Sequence, residues 1–139
     1  MTSDLADDQN VSAGEGRHRV NLRAVVSGQD VVVVVSGGEQ PHVGAVAIAI
    51  PRKSLSDENK TSSTSSVFTL VGHKDDEVAK RISEKISKSL NRVVVVAAGL
   101  HIENADKKDI ELLVLNSMLC CDKMIKILKG KAFSHFQHA

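Results

Sequence analysis

The sequence predicts a single α+β domain: a mainly antiparallel sheet of about five strands, a four-stranded meander plus one strand after a helix crossover, with two helices packed on one face. Three observations predict it. Between His18 and Val71 apolar residues fall into short runs, several alternating, separated by Gly, Pro, Ser and Asp turns, which is the signature of strands. Two later segments, after Asp75 and after Asp106, switch to helical spacing. A length of 139 residues suits one domain with one core.

Residues 1–17 are polar, acidic and Gly-bearing and are expected to form a disordered tail. The first fifteen carry Asp4, Asp7, Asp8 and Glu15 without Lys, Arg or an apolar run, the reverse of a secretory or mitochondrial leader, so the cytoplasm is expected. The domain is expected over 18–130. Val20, Leu22, Ala24 and Val26 alternate as a half-buried strand, and Ser27-Gly28-Gln29-Asp30 turns it back as a hairpin. Val31 to Val35 is apolar on both faces, which predicts a central strand with helices on one side and another subunit on the other. Strand three, Val43 to Ile50, sets small Val43, Ala45, Ala47 and Ala49 on one face and ends at Pro51. Arg52 to Ser66 reads as a solvated loop, and Val67 to Val71 as strand four.

Asp75-Asp76-Glu77 load the first turn of a helix whose apolar face is Val78, Ala79, Ile82, Ile86 and Leu90. Val93 to Ala98 is strand five, closed by Gly99. A second helix follows Asn104 or Asp106 as N-cap, with Ile110, Leu113, Val114, Ser117, Met118, Cys121, Ile125 and Leu128 on one stripe, and stops at Gly130. Residues 131–139 are expected to be a flexible tail.

Composition removes several functions. Eighteen basic against seventeen acidic residues leave a net charge of +1, so no global field attracts a polyanion, and without Trp or Tyr there are few stacking platforms for nucleic acid. The longest apolar runs fall far short of the ~20 residues that cross a bilayer as a helix. Cys120 and Cys121 are adjacent on a helix, poorly placed to bridge, which suits a reducing compartment. No GxSxG, Walker or GxGxxG pattern is present.

The informative residues sit in three Gly-bearing turns: Gly37-Gly38 with Pro41-His42-Val43-Gly44, then Gly72-His73-Lys74-Asp75, then Gly99-Leu100-His101 with Asn104. In a meander, strands two and four run the same way, and a helix crossover makes strand five parallel to strand four. All three histidines and both helix starts then share one sheet edge. Helix N-termini beside glycine turns form an anion site, to which Lys74 adds a cation and Asn104 an amide. Singly, each histidine is more often a turn or capping residue, and each glycine a backbone device; their convergence points to a ligand. A metal-dependent enzyme or accessory subunit, with zinc held by His42, His73 and His101, is a second reading, although the spacings match no local metal motif. A scaffold that binds no small molecule is a third. Two helices cover one sheet face only, which predicts a homo-oligomer.

The string Ser36-Gly37-Gly38-Glu39-Gln40-Pro41-His42-Val43-Gly44-Ala45, followed by Gly72-His73-Lys74-Asp75-Asp76 and Gly99-Leu100-His101-Ile102, resembles the LpdD-like family of prenylated-flavin chaperones, found beside gallate-type decarboxylases. The resemblance covers roughly residues 18–128. It implies a non-catalytic protein that holds prenylated flavin mononucleotide (prenylated FMN) made by a flavin prenyltransferase and delivers it to a UbiD-type decarboxylase. His42, His73 and His101 are then expected to line an apolar slot, with Lys74 and backbone N–H groups at the phosphate. Lacking Trp and Tyr, the chain would cover the ring with aliphatic side chains or a second subunit.

Overall fold

The computed structural model describes residues 8–70 and 74–131. Six strands, β1 (Asp8–Ala13), β2 (Val20–Ser27), β3 (Asp30–Gly38), β4 (Ala45–Lys53), β5 (Thr61–Thr69) and β6 (Val94–His101), form one mixed sheet. Helix α1 (Lys74–Leu90) precedes β6, and α2 (Lys107–Lys129) follows it. The lateral order is β1-β2-β3-β6-β4-β5. Every pairing is antiparallel except that of β3 with β6.

The fold class is as expected, but the sheet is not a meander. β6 inserts between β3 and β4, so the β3–β4 connection must pass over the end of β6. The physical reason lies in side-chain character. β6 is apolar on both faces, as Val-Val-Val-Ala-Ala, and takes a central place beside β3. β5, Thr-Ser-Ser-Thr-Ser-Ser-Val-Phe-Thr, is polar enough to lie at an edge. The strand directions nevertheless hold: β3, β5 and β6 all finish at the same end of the sheet, as their pairings to β4 and to one another require.

Four boundaries also differ. Asp8–Ala13, expected to belong to a tail, pair with β2 as an edge strand, because Val11 and Ala13 pack against the core. β4 runs through Pro51 to Lys53. Proline is tolerated there because β6 accompanies β4 only as far as Ala49, leaving that side of Pro51 without a ladder partner. Most of the expected 52–66 loop becomes a long hairpin in which Thr61–Ser66 pair back with 48–53. Finally, Gly99 lies inside β6 rather than closing it. Val71, Gly72, His73 and residues 132–139 lie outside the described residues.

Both helices cover one face, α1 over β4, β5 and β6, and α2 over β1 and β2. Ala45, Ala47 and Ala49 are fully buried; this small face lets α1 approach closely. Val78, Ala79, Ile82 and Ile86 of α1 and Leu113, Met124 and Leu128 of α2 interlock with Val20, Leu22, Val33, Val35, Val94 and Val96. Each large aliphatic side chain so buried contributes roughly 1.5–3 kcal/mol. Asp106 is the N-cap of α2, closing a reciprocal capping box with Asp109.

Candidate functional site

The β3–β4 connection forms the site. At the end of β3, Gly38 takes a left-handed φ of 81°, and a Cβ there would collide with the His101 carbonyl. The chain turns across the end of β6, where the N–H groups of Glu39 and Gln40 both donate to that carbonyl, at 2.7 and 3.4 Å. A Cβ on Gly99 would occupy the position of the His42 carbonyl. Gly44 then docks beside β6, donating its N–H to Ala98 at 2.8 Å. Glycine at 38 and 99 is therefore what allows the loop to lie flat on the strand end, while glycine at 44 leaves room for the Asp75 carboxylate.

β6 extends beyond its last pairing with β4, Ala45 with Ala98, so the Leu100 N–H has no strand partner on that side. Asp75, in the first turn of α1 and 1% exposed, accepts that N–H at 3.1 Å. Its other carboxylate oxygen lies 3.3 Å from Nε2 of His42, whose Nδ1 faces the Gln40 carbonyl at 3.2 Å. Nδ1 donates to that carbonyl and so carries a hydrogen. Nε2 and Asp75 then share a proton or stand as an ion pair. Burial pushes the Asp75 carboxyl above its ordinary range, against the opposing pull of Lys74, the Leu100 N–H and His42. The His42 ring stands edge-on to that of His101, 5.9 Å between centroids. Nε2 of His101 lies 3.2 Å from Glu103, and the Glu103 N–H donates to Glu39 at 3.0 Å. Both imidazoles remain partly exposed.

Two of the three expected histidines thus meet, and Asp75, Gly38, Gly44 and Gly99 are part of the same construction. Gly37 packs against Arg19 and Leu100; Pro41 is exposed in the connection. Lys74 begins α1, immediately after the undescribed Gly72 and His73, and acts on Asp75 by charge. Asn104 adopts a left-handed φ of 53°, a turn-forming conformation that Asn tolerates; no hydrogen bond joins it to the cluster among the described residues. Nor does any group of three or more His, Cys, Asp or Glu among those residues have the geometry of a metal site; the three-histidine alternative needs His73, which lies outside them.

The helix starts are less anion-loving than the sequence predicts. In α2 the capping box uses the Asp109 N–H, and the Asp109 carboxylate pairs with Arg17 at 2.9 Å and His18 at 2.7 Å. These partners hold the Asp109 carboxyl down at about 2, with the His18 hydrogen bond the largest cause. In α1 the first turn carries Asp75, Asp76 and Glu77. The dipoles are already met by the protein's own carboxylates. Sequence reasoning missed Arg17, His18 and Asp109 as a unit, because its members lie 92 and 91 residues apart. It also missed the joint between Glu39 and Glu103, for which no local motif exists.

A glycine-cradled loop that carries two imidazoles over a strand end can hold a ligand, and comparison of the sequence with known families gives the class, a chaperone. The chain belongs to the prenylated flavin chaperone LpdD-like domain family, whose sequence pattern matches residues 14–129. Among curated proteins it is similar to Protein LpdD of Lactiplantibacillus plantarum, 29% identical over 85 residues. That match covers 61% of this chain and 59% of the relative's length, so the chain aligns with less than two thirds of it. Membership of a chaperone family makes the role non-catalytic. No helix among the described residues is long and apolar enough to cross a membrane.

Proposed function

We propose that the protein binds prenylated FMN at the edge formed by the 37–44 connection, His101 and the start of α1, and delivers it in the cytoplasm from a flavin prenyltransferase to a UbiD-type decarboxylase. The observation that carries this reading is the meeting of His42 and His101 across the end of β6, in a chain of the prenylated flavin chaperone family. Two partly exposed imidazoles offer hydrogen bonds and flat contact to a heteroaromatic ring. The acidic first turn of α1 disfavours a phosphate directly on the helix axis. Lys74 is the cation at that position, so the phosphate is assigned to Lys74; the N–H groups of Gly38, Glu39, Gln40 and Gly44 already donate within the protein.

A delivery protein needs affinity without commitment: it shields the cargo, then releases it to an acceptor that binds more tightly. The test is anaerobic mixing with reduced prenylated FMN and, separately, with plain FMN, followed by desalting and visible absorbance. Near-stoichiometric retention of the prenylated ligand is expected, reduced at least about tenfold, or ~1.4 kcal/mol, by replacing His73 and Lys74 with Ala. Loss of both flavins from the wild-type protein would overturn the reading.

A further inference from the structure

The sheet has a second face, and it is apolar. Opposite the helices, register aligns Val34 of β3 with Ala97 of β6, Ala97 with Val46 of β4, and Val46 with Phe68 of β5. A second row runs from Val25 through Val32 and Val95 to Ile48. Val34 is 47% exposed, Ile48 45% and Phe68 77%. A sheet face meant for water alternates apolar-in with polar-out; here the middle outward positions of β3, β6 and β4 are Val32, Val34, Val95, Ala97, Val46 and Ile48.

The flanks are different. On β1 the outward residues are Asp8, Asn10 and Ser12, and on β2 Asn21 and Arg23 accompany Val25. On β5 Thr64 and Ser66 stand beside Phe68. An apolar centre inside a polar margin is the anatomy of a protein interface.

We propose that two copies of this chain pack against each other through this outward face, as a sandwich of two sheets. Three features favour a second copy over a different partner. Charge on the face is sparse: Asp8 and Arg23 pair with each other, and Arg52, towards the far end of β4, donates to Thr64 and the Lys53 carbonyl, so no cluster of one sign selects an oppositely charged protein. Aliphatic rows across β3, β6 and β4 are self-complementary under a two-fold axis, and sheets stack at about 10 Å with such side chains between them. The size also fits. Six strands at ~4.8 Å spacing and about eight residues at ~3.3 Å give a face of roughly 600 Å² in plan, more in accessible area, against the ~800 Å² per partner of a standard interface. The face runs up to the ligand edge, since Gly99 and His101 follow Val95 and Ala97 along β6, but molar mass is measured without flavin, so failure of the dimer and failure of flavin binding are told apart.

The test is the molar mass of the full chain by size exclusion with light scattering, from micromolar to hundreds of micromolar. Twice the chain mass is expected, with a thermal midpoint that rises with concentration. Val34→Lys and Ile48→Lys, which point away from the core, should retain native circular dichroism and weaken the dimer on the order of a hundredfold, since each would bury an unpaired ammonium. Leu115→Lys, exposed on α2, should leave it intact. A wild-type monomer at the highest concentration would overturn the proposal without any variant. A dimer that persists in folded Val34→Lys and Ile48→Lys would also overturn it, by placing the interface elsewhere.

Discussion

Gly99 lies directly under His42: the space a side chain at 99 would fill is taken by the His42 carbonyl oxygen. The connection can cross β6 only because that strand lacks a Cβ at this position. Gly99→Ala is therefore expected to lift the 39–44 loop, cost about 1–3 kcal/mol by overpacking, and separate His42 from Asp75. Thermal unfolding reads the first effect and flavin retention the second. An unchanged midpoint would mean that the loop does not rest on the strand.

Asp75 is the buried hinge of the site, and the Leu100 N–H depends on it. Asp75→Ala should cost about 1–3 kcal/mol, the penalty of a buried donor left unsatisfied. Asp75→Asn keeps an acceptor for that donor. Because burial raises the folded carboxyl above its ordinary value of 3.8, the wild-type group favours folding most below that value, and this advantage falls as pH rises through the window above it. Asp75→Asn lacks that fall, so its stability relative to wild type should increase from pH 4 upward. Denaturant titrations across this range would show it.

Asp109 has the opposite sign. With its folded value at about 2 and an ordinary value of 3.8, the ionised group stabilises the fold above 3.8, and that contribution disappears as pH falls towards 2. Asp109→Asn should be less stable than wild type at neutral pH, with the gap closing in acid. A gap independent of pH would show that Arg17 and His18 do not depend on the charge.

His101 is partly exposed, and its partner Glu103 more so. His101→Ala is expected to leave stability within about 0.5 kcal/mol of wild type while reducing retained prenylated flavin at least about tenfold. His42→Ala should lower both, because it also removes the partner of buried Asp75. If His101→Ala retains the ligand fully, the imidazole pair is not the binding surface.

Burial pushes the Cys121 thiol up to about 12, and raises Cys120 as well. Neither should react with a thiol reagent at neutral pH until the protein unfolds. Rapid labelling of the native protein would show α2 detaching from the sheet.

The sequence by itself determined the elements and their directions. Alternation in Val20 to Val26 marked β2. The apolar stripe from Val78 to Leu90 marked α1, and Asp106 and Gly130 bounded α2, because these signals reside in neighbours along the chain. Strand direction then brought His42 and His101 to one end. What only the tertiary structure decided was lateral order. Strand period says which face a residue takes but not which strand lies beside it, so β6 between β3 and β4, the loop crossing above Gly99 and the Leu100 N–H left for Asp75 had no local sign. The one available hint was compositional: β6 apolar on both faces, β5 rich in Ser and Thr. The pairing of Arg17 and His18 with Asp109 was hidden for the same reason, since its partners come together only when α2 packs back over β1 and β2.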